Sequence, residues 1–325
     1  MAQVQAKTIG PPLGKSKKKR HALWREIVRN RYLYLLTLPG IAYFIVFNYL
    51  PMVGLYLAFV DYSPVAPAFG LGSPFVGLSN FRFFFMTDTW IKVTINTLYL
   101  NALFISTGLL VSVTLALALN EMTLRLVKRL AQTFMFLPNF ISWTVISVLA
   151  IAIFSTDGGL LNTMALRLGG QTVAYYQEPG VWPAILVILR LWKGAGFGTV
   201  IYLATISGID QGIYEAATID GASRFGKIWH ITLPLLKTTT CMLLIMDVGK
   251  IFYGDFGMIY ALVGDNALLR STTDVIDTFV YRAMRVNNEI GMSAAVGFFQ
   301  SVIGFVMVVC ANAAVRWMDP ESSLF

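Results

Sequence analysis

Five ionisable residues sit where charge is expensive to hold. Arg190 and Lys193 fall inside the apolar run 182–206, and Asp247, Lys250 and Asp255 inside the run 237–262. An ionisable side chain in hydrocarbon is retained when it faces a cavity or an opposite charge, so these residues are the ones equipped for chemistry. Asp247 with Asp255 could form an acid/base pair in a membrane-embedded enzyme acting on lipid-linked sugars. Their eight-residue separation spans about 12 Å of helix, too far to serve one bond without a bend. As a polar pathway they fit better. Helical spacing puts Arg190, Lys193 and Phe197 on one face, and Asp247, Lys250 and Gly254 on one face of the next helix. Trp192 or Tyr253 either offers a stacking face to a ring-shaped ligand or packs against lipid or a neighbouring helix. The structural alternative pairs Asp247 with Lys250 one turn away, lets Arg190 or Lys193 snorkel to a headgroup, and leaves Gly194 and Gly198 as a close-packing motif. Arg190, Lys193 and Lys250 exceed Asp247 and Asp255 by one positive charge, which favours an acidic ligand.

Other chemistries lack material. Two cysteines, Cys241 and Cys310, both in apolar stretches, make neither a disulfide framework nor a thiolate metal site, and His21 and His230 build no histidine site. Gly14-Lys15-Ser16, with Gly10 upstream, looks like the end of a phosphate-binding loop. That motif needs four residues between its glycines, and here Pro11, Pro12 and Leu13 intervene with no strand before them. ATP, if used, binds elsewhere.

The elements that must position the charged residues are membrane helices. Across 325 residues, 56% are hydrophobic and 13% charged, too little polar surface to coat a soluble globule. A bilayer core of about 30 Å needs about 20 apolar helical residues, whereas a spanning strand needs no more than about 11, so long apolar runs favour helices over a barrel. Runs 32–60, 93–120, 130–156 and 290–315 are free of charge; with 182–206 and 237–262 they predict six transmembrane helices in an all-α integral membrane protein. The first run is too long, and lacks a small-residue cleavage site, to be a signal peptide. The net charge of +8 invites a nucleic-acid partner, but nine of the 25 Lys and Arg precede the first run, so the basicity is a tail. Positive charge marks the cytoplasmic side. Placing that tail inside puts Arg125, Lys128, Arg129, Arg224, Lys227, Lys237 and Arg316 inside too, against Arg82, Lys92, Arg167, Arg270, Arg282 and Arg285 outside. Both termini are then cytoplasmic. The expected organisation is a basic tail with an interfacial helix over 1–31, a six-helix domain over 32–318 and a short cytoplasmic tail over 319–325. Outer loops 61–92, 157–181 and 264–289 are long enough to receive a partner. No internal repeat is visible, which weakens a stand-alone secondary transporter.

Between the fourth and fifth runs, on the cytoplasmic side, lies Glu215-Ala216-Ala217-Thr218-Ile219-Asp220-Gly221-Ala222, followed by Ile231-Thr232-Leu233-Pro234. Glu215 to Ile219 suit a short helix, Asp220-Gly221 reverses the chain, Ser223 caps a second turn, and Pro234 fits the start of the next span. The pattern resembles the EAA loop of ATP-binding-cassette importer permeases: E-A-A, three residues, G, nine residues, I-x-L-P. All seven fixed positions match, with Ile228 where the family often has Phe.

Similarity extends over most of the chain and points to the carbohydrate branch. It is carried by Leu38-Pro39-Gly40, Tyr49-Leu50-Pro51-Met52, Val76-Gly77-Leu78-Ser79-Asn80-Phe81, Trp192-Lys193-Gly194-Ala195-Gly196-Phe197-Gly198, Tyr202-Leu203-Ala204 and Asp277-Thr278-Phe279-Val280-Tyr281-Arg282. The chain is similar to the first of two paired permeases in bacterial polysaccharide importers, the group serving aldouronates and alginate. The resemblance implies a bacterial inner-membrane subunit working by alternating access. It also implies a second permease, two ATPase subunits that bind ATP and Mg, and an external solute-binding protein, with no enzyme activity or cofactor in this chain and no nucleic acid among its partners. Membrane lipid and an oligosaccharide complete the set. By the same resemblance, Glu215, Ala216, Ala217, Asp220, Gly221, Ile231, Leu233 and Pro234 form the coupling element that docks on an ATPase. Lys193, Gly194, Phe197, Asp247, Lys250 and Gly254, with Arg190, Trp192 and Tyr253, form the candidate substrate pathway.

Overall fold

A computed structural model describes residues 29–67, 70, 72–86, 89–318 and 323. Residues 1–28, which hold nearly all of the basic tail and the start of its expected interfacial helix near 24–34, and nearly all of the 319–325 tail lie outside the described residues. Among those described, the secondary structure is helical without a strand; Val60 and Phe75 form an isolated antiparallel bridge. Four helices are long and apolar enough to cross a membrane: Arg31–Phe59, Thr89–Glu121, Pro179–Ser207 and Ile290–Trp317. Two bent pairs, Arg125–Phe140 with Trp143–Phe154 and Arg224–Leu235 with Lys237–Val248, bring the number to six if each pair is one span.

Two compact units divide after Tyr56. In the first, helix α1 (Arg31–Phe44) contains Pro39, runs into a π turn over Ile45–Tyr49 just ahead of Pro51, and buries no residue. A proline removes an amide and displaces the carbonyl four residues back, which accounts for the irregular winding.

The second unit contains a short α2 (Ser79–Phe85), then α3 (Thr89–Glu121), α4 (Arg125–Phe136), α5 (Trp143–Phe154), α6 (Leu160–Arg167), α7 (Trp182–Ser207), α8 (Gln211–Ile219) and α9 (Arg224–Lys227). It closes with α10 (Lys237–Val248), α11 (Phe256–Val263), α12 (Ile276–Arg285) and α13 (Ile290–Met318). Helices α3 and α7 run side by side in the same direction. Leu100 and Phe104 of α3 share one buried cluster with Trp182, Ile185 and Leu186 at the start of α7, while Ala116 and Leu119 share another with Tyr202, Leu203 and Ile206 near its end. Lipid is as apolar as leucine, so burial against another helix gains little over burial in lipid; close packing and internal hydrogen bonds must hold such helices together. Glycines allow the approach. A Cβ on Gly198 would meet Ser112 Cβ of α3 at 3.0 Å, and one on Gly196 would press on the Met135 carbonyl and on Phe136 Cα at 3.2 Å, whereas Gly194 has open space. The tight pair on α7 is therefore Gly196 and Gly198, rather than Gly194 and Gly198.

Two of the expected continuous spans are broken. Run 130–156 bends by 100° between α4 and α5, through a 3-10 turn over Leu137–Phe140 that carries Pro138. Ser142 restarts the chain as the cap of α5, its hydroxyl accepting from the Val145 amide at 3.3 Å. The freed carbonyls of Asn139 and Ile141 accept from Lys193 Nζ of α7 at 2.8 and 2.7 Å, and Trp143 lies 5.5 Å from the same ammonium. Run 237–262 is also interrupted: α10 stops at Val248 and α11 starts at Phe256. Gly249 and Gly254 weaken the helix, and Asp255 caps the new one by accepting from the Met258 amide at 3.2 Å. Asp247, Lys250 and Gly254 consequently do not share a helical face.

On this packing, Gly196→Ala is expected to destabilise the protein by about 1–3 kcal/mol, while Gly194→Ala leaves it unchanged; thermal unfolding midpoints in detergent compare the two. Lys193→Met strands two carbonyls, each costing about 1–3 kcal/mol. Its expected signature is faster proteolysis within 137–142, with Lys193→Arg closer to the parent.

Candidate functional site

The second break opens a polar cavity of about 240 Å³, lined by Asn101, Phe104 and Ile105 of α3, Arg190 of α7, Asp247 of α10, and Lys250, Tyr253, Gly254 and Asp255 of the break itself. Five of the nine pathway candidates thus meet here: Arg190, Asp247, Lys250, Tyr253 and Gly254. The other four lie outside the lining. Lys193 is held at the first break, Gly194 faces open space, Phe197 is exposed beside Phe136 (ring centroids 6.5 Å apart), and Trp192 is exposed.

Charge within the cavity is not shared evenly. Arg190 Nη1 donates to Asp255 Oδ2 at 2.5 Å, and its guanidinium lies 4.7 Å from the centroid of the Phe104 ring. Asp255 also caps α11, so both its oxygens are engaged, which leaves the acid/base reading without a free carboxylate at that position. Asp247 and Lys250 are exposed to the cavity, and among the described residues they form no ion pair with each other. Two cations face two carboxylates, so the lining is formally neutral; the extra positive charge counted from sequence belonged to Lys193, which serves the other break. Tyr253 presents a half-exposed ring and donates its hydroxyl to Ser301 Oγ at 3.1 Å. Sequence reasoning missed Asn101, Phe104 and the cavity role of Asp255. Asn101 carried a weak signal, one of three asparagines (Asn96, Asn101 and Asn120) within the apolar run 93–120, and Asp255 carried one as a capping residue behind Tyr253-Gly254.

A helical hairpin connects α7 to α10, the two helices flanking this cavity. Asp210 caps α8, accepting from the Gly212 amide at 2.9 Å. The helix ends on Gly221 at φ +81°, with the Ala222 amide donating to the Ala217 carbonyl at 2.9 Å and the Gly221 amide to Thr218 at 3.1 Å, the double closure of a Schellman turn. Ser223 then caps α9 by accepting from the Gly226 amide at 3.1 Å. Glu215, Ala216 and Asp220 are exposed and Ala217 half-buried. Ile213, Ile219, Phe225 and Trp229 are all exposed, the last two rings stacked 6.3 Å apart, so the hairpin carries an uncovered apolar face. Its base is tied down: Tyr214 and Thr232 share a hydroxyl–hydroxyl hydrogen bond of 2.9 Å, Ile231 and Leu233 are half-buried, and Pro234 sits in the first turn leading to α10.

At the opposite end of the unit, Arg282 pairs with Asp274 at 2.5 Å and with Asp265 at 3.3 Å, and Arg270 with Asp265 at 2.6 Å. Partial burial raises the Asp265 carboxyl, but the two guanidiniums outweigh it and hold the group below the usual carboxylate range. Asn96 of α3 donates to the carbonyls of Ser271 and Asp274 at 3.2 and 3.1 Å, anchoring this segment.

The comparisons with known proteins agree on one class. The profile of the family described as binding-protein-dependent transport system inner membrane component matches residues 108–322. The chain is 37% identical over 320 residues to the polygalacturonan/rhamnogalacturonan transport system permease protein YteP of Bacillus subtilis (strain 168), covering 98% of each chain. It is 31% identical to the sn-glycerol-3-phosphate transport system permease protein UgpA of Yersinia pestis, covering 85% of this chain and 90% of that one. Among solved structures it is similar to a bacterial ABC transporter involved in the import of the acidic polysaccharide alginate, with TM-score 0.83, 32% identity, and coverage of 92% of this chain and 99% of that one. The same kind of transporter bound to an alginate pentasaccharide-loaded periplasmic protein matches with TM-score 0.82, 32% identity, and coverage of 91% and 98%. The chain belongs to the binding-protein-dependent transport system inner membrane component family, and is a permease component of a sugar ABC importer.

Proposed function

We propose that this chain is one of two permeases in an ATP-driven importer of acidic oligosaccharides, with each bent helix pair counted as a single span and six spans in all. The observation that carries the mechanism is connectivity: one hairpin, with an exposed apolar face, joins the two helices that flank the polar cavity. A displacement of α8 moves both α7 and α10. The hairpin faces the cytoplasm, as do both termini, and docks on one of two separate ATPase subunits that hold ATP and Mg. Glu215, Ala216 and Ala217 lie on the docking surface, Asp220 and Gly221 make its bend, and Ile231, Leu233 and Pro234 transmit the movement to α10. An external binding protein delivers the saccharide to the outer segments. Closure of the ATPases turns the cavity outward and hydrolysis resets it, so that access alternates.

The acidic substrate rests on Lys250, a cation exposed in the cavity and without an ion pair among the described residues, beside the aromatic face of Tyr253. Likeness to an importer of alginate supports it. Arg190, neutralised by Asp255, maintains the wall rather than adding charge.

Two outcomes are expected in vesicles reconstituted with the partner permease, the ATPases and the binding protein. Lys250→Met should raise KM about tenfold for alginate or galacturonate oligosaccharides and leave neutral oligosaccharides of equal length near the parent value. Equal effects on both would remove the acidic preference. Glu215→Lys should insert and assemble normally yet break the link between ATP hydrolysis and uptake; coupled uptake at the parental rate would remove the docking assignment.

A further inference from the structure

In the seven-residue interruption that carries Lys250 and Tyr253, the amides of Lys250, Ile251 and Tyr253 make turn bonds to carbonyls three residues back, at 3.0, 3.1 and 2.8 Å, and side chains from other helices take the carbonyls that follow. Asn101 Nδ2 of α3 donates to the carbonyls of Ile251 and Tyr253 at 2.9 and 3.0 Å. Gln300 Nε2 of α13 donates to the carbonyl between them, Phe252, at 2.8 Å. The next amide, Gly254 N–H, donates to Asp277 Oδ2 of α12 at 2.5 Å, and Gln300 Nε2 lies 3.3 Å from the same oxygen. Three consecutive carbonyls and the following amide are thus all claimed, from three different elements. Asn101 and Gln300 are themselves buried, at 8% and 3% exposure. Gly254 is tailored to the contact, since a Cβ there would meet both Val275 Cβ and Asp277 Oδ2 at 3.0 Å.

Each clamp residue is supported from behind. Asn101 sits on α3, whose Thr97 hydroxyl accepts from the Ile276 amide at 3.0 Å where α12 begins. The far end of α12 is pinned by Arg282 on Asp274. The clamp therefore joins a rigid outer bracket to a stretch of chain whose two polar side chains, Lys250 and Tyr253, line the cavity.

We propose that Asn101, Asp277 and Gln300 are positioning residues for the saccharide. They hold 251–254 in one conformation so that the Lys250 ammonium and the Tyr253 ring meet the sugar at a fixed spacing. None of the three needs to touch the substrate for this; Asn101 reaches the cavity wall, while Asp277 and Gln300 act wholly through the loop backbone. An unclamped loop would have to be ordered by the saccharide itself, and that ordering would weaken binding. The proposal rests on the cavity reading given above.

The test uses the complete reconstituted transporter and whichever of the alginate and galacturonate oligosaccharides is transported better. Gln300→Met keeps the volume and removes the donor, Asn101→Leu removes two donations, and Asp277→Asn keeps an acceptor for the Gly254 amide. Amide hydrogen exchange over 251–256 and the KM and maximal rate of uptake are measured on each. Gln300→Met and Asn101→Leu are expected to accelerate exchange and to raise KM, each by about tenfold, with the maximal rate within about twofold and Asp277→Asn near the parent. Faster exchange with unchanged KM, while Lys250→Met raises KM, overturns the positioning role and leaves the cavity reading standing. An unchanged KM in Lys250→Met as well overturns the cavity reading and this proposal with it. Loss of assembled transporter in both Gln300→Met and Asn101→Leu also overturns it, because the clamp would then serve folding alone.

Discussion

A polypeptide inside a bilayer can leave the helix only where something other than water takes its amides and carbonyls, and that requirement organises this protein. Two apolar runs depart from helix, one at 137–142 and one at 249–255. Arg190 and Lys193, one turn apart on α7, serve one departure each. Lys193 supplies a donor to two carbonyls of the first, and Arg190 secures the capping carboxylate that restarts the helix after the second. A single central helix thereby fixes both bends, and its close packing on α3 through Gly198 holds the two fixtures at a constant separation. The five charges that looked from sequence like a line of pathway groups divide into three engaged at the breaks, Arg190, Lys193 and Asp255, and two, Asp247 and Lys250, exposed in the cavity.

That division also shows where sequence was legible and where it was not. Membrane helices could be read because the hydrophobic requirement is a sum over about 20 residues, insensitive to the placement of any one of them. The local chemistry of the hairpin was legible for the opposite reason. Asp220-Gly221 and Ser223 act through backbone geometry within a few residues, and the structure shows the reversal and the cap at those positions. The breaks were missed because composition does not distinguish a continuous apolar helix from two apolar pieces. Pro138 lies inside an otherwise unbroken run, and Gly249 and Gly254 flank residues that read as well in helix as out of it. The decisive partners, Lys193 for one and Asn101 with Gln300 for the other, lie about 50 to 150 residues away in the chain, beyond any local pattern. The face assignment for the second run failed for this reason: Asp247, Lys250 and Gly254 share the cavity because the chain turns, although they share no helical face.

The hairpin illustrates how rigidity and exposure coexist. Schellman closure at Gly221, the Asp210 and Ser223 caps and the Tyr214–Thr232 hydrogen bond leave little freedom within it, while Ile219, Phe225 and Trp229 stay uncovered. A soft element would absorb an applied displacement, and a covered one could receive none. The side-chain bond from Tyr214 reaches Thr232 across the whole α8–α9 turn, at the point where the π turn over Ile228–Thr232 leads into α10. On the proposed mechanism, movement at the apolar face therefore arrives at the first turn of α10 instead of being lost in the intervening loop.

Formal neutrality of the cavity bears on how an acidic saccharide would be handled. A lining with a large positive excess would bind a polyanion tightly in every state of the cycle, and a ligand of equal affinity for both states shifts neither. Pairing Arg190 to Asp255 withdraws one cation from competition, and Asp247 lines the same cavity as Lys250 without forming an ion pair with it among the described residues. A carboxylate of the sugar would then meet a moderated positive charge at a fixed position. Such a site can distinguish orientations by the placement of Lys250 relative to the Tyr253 ring, and it can release its cargo when the helices flanking it move. Specificity on this reading comes from geometry held by the loop clamp, with electrostatics kept weak enough for transport to proceed.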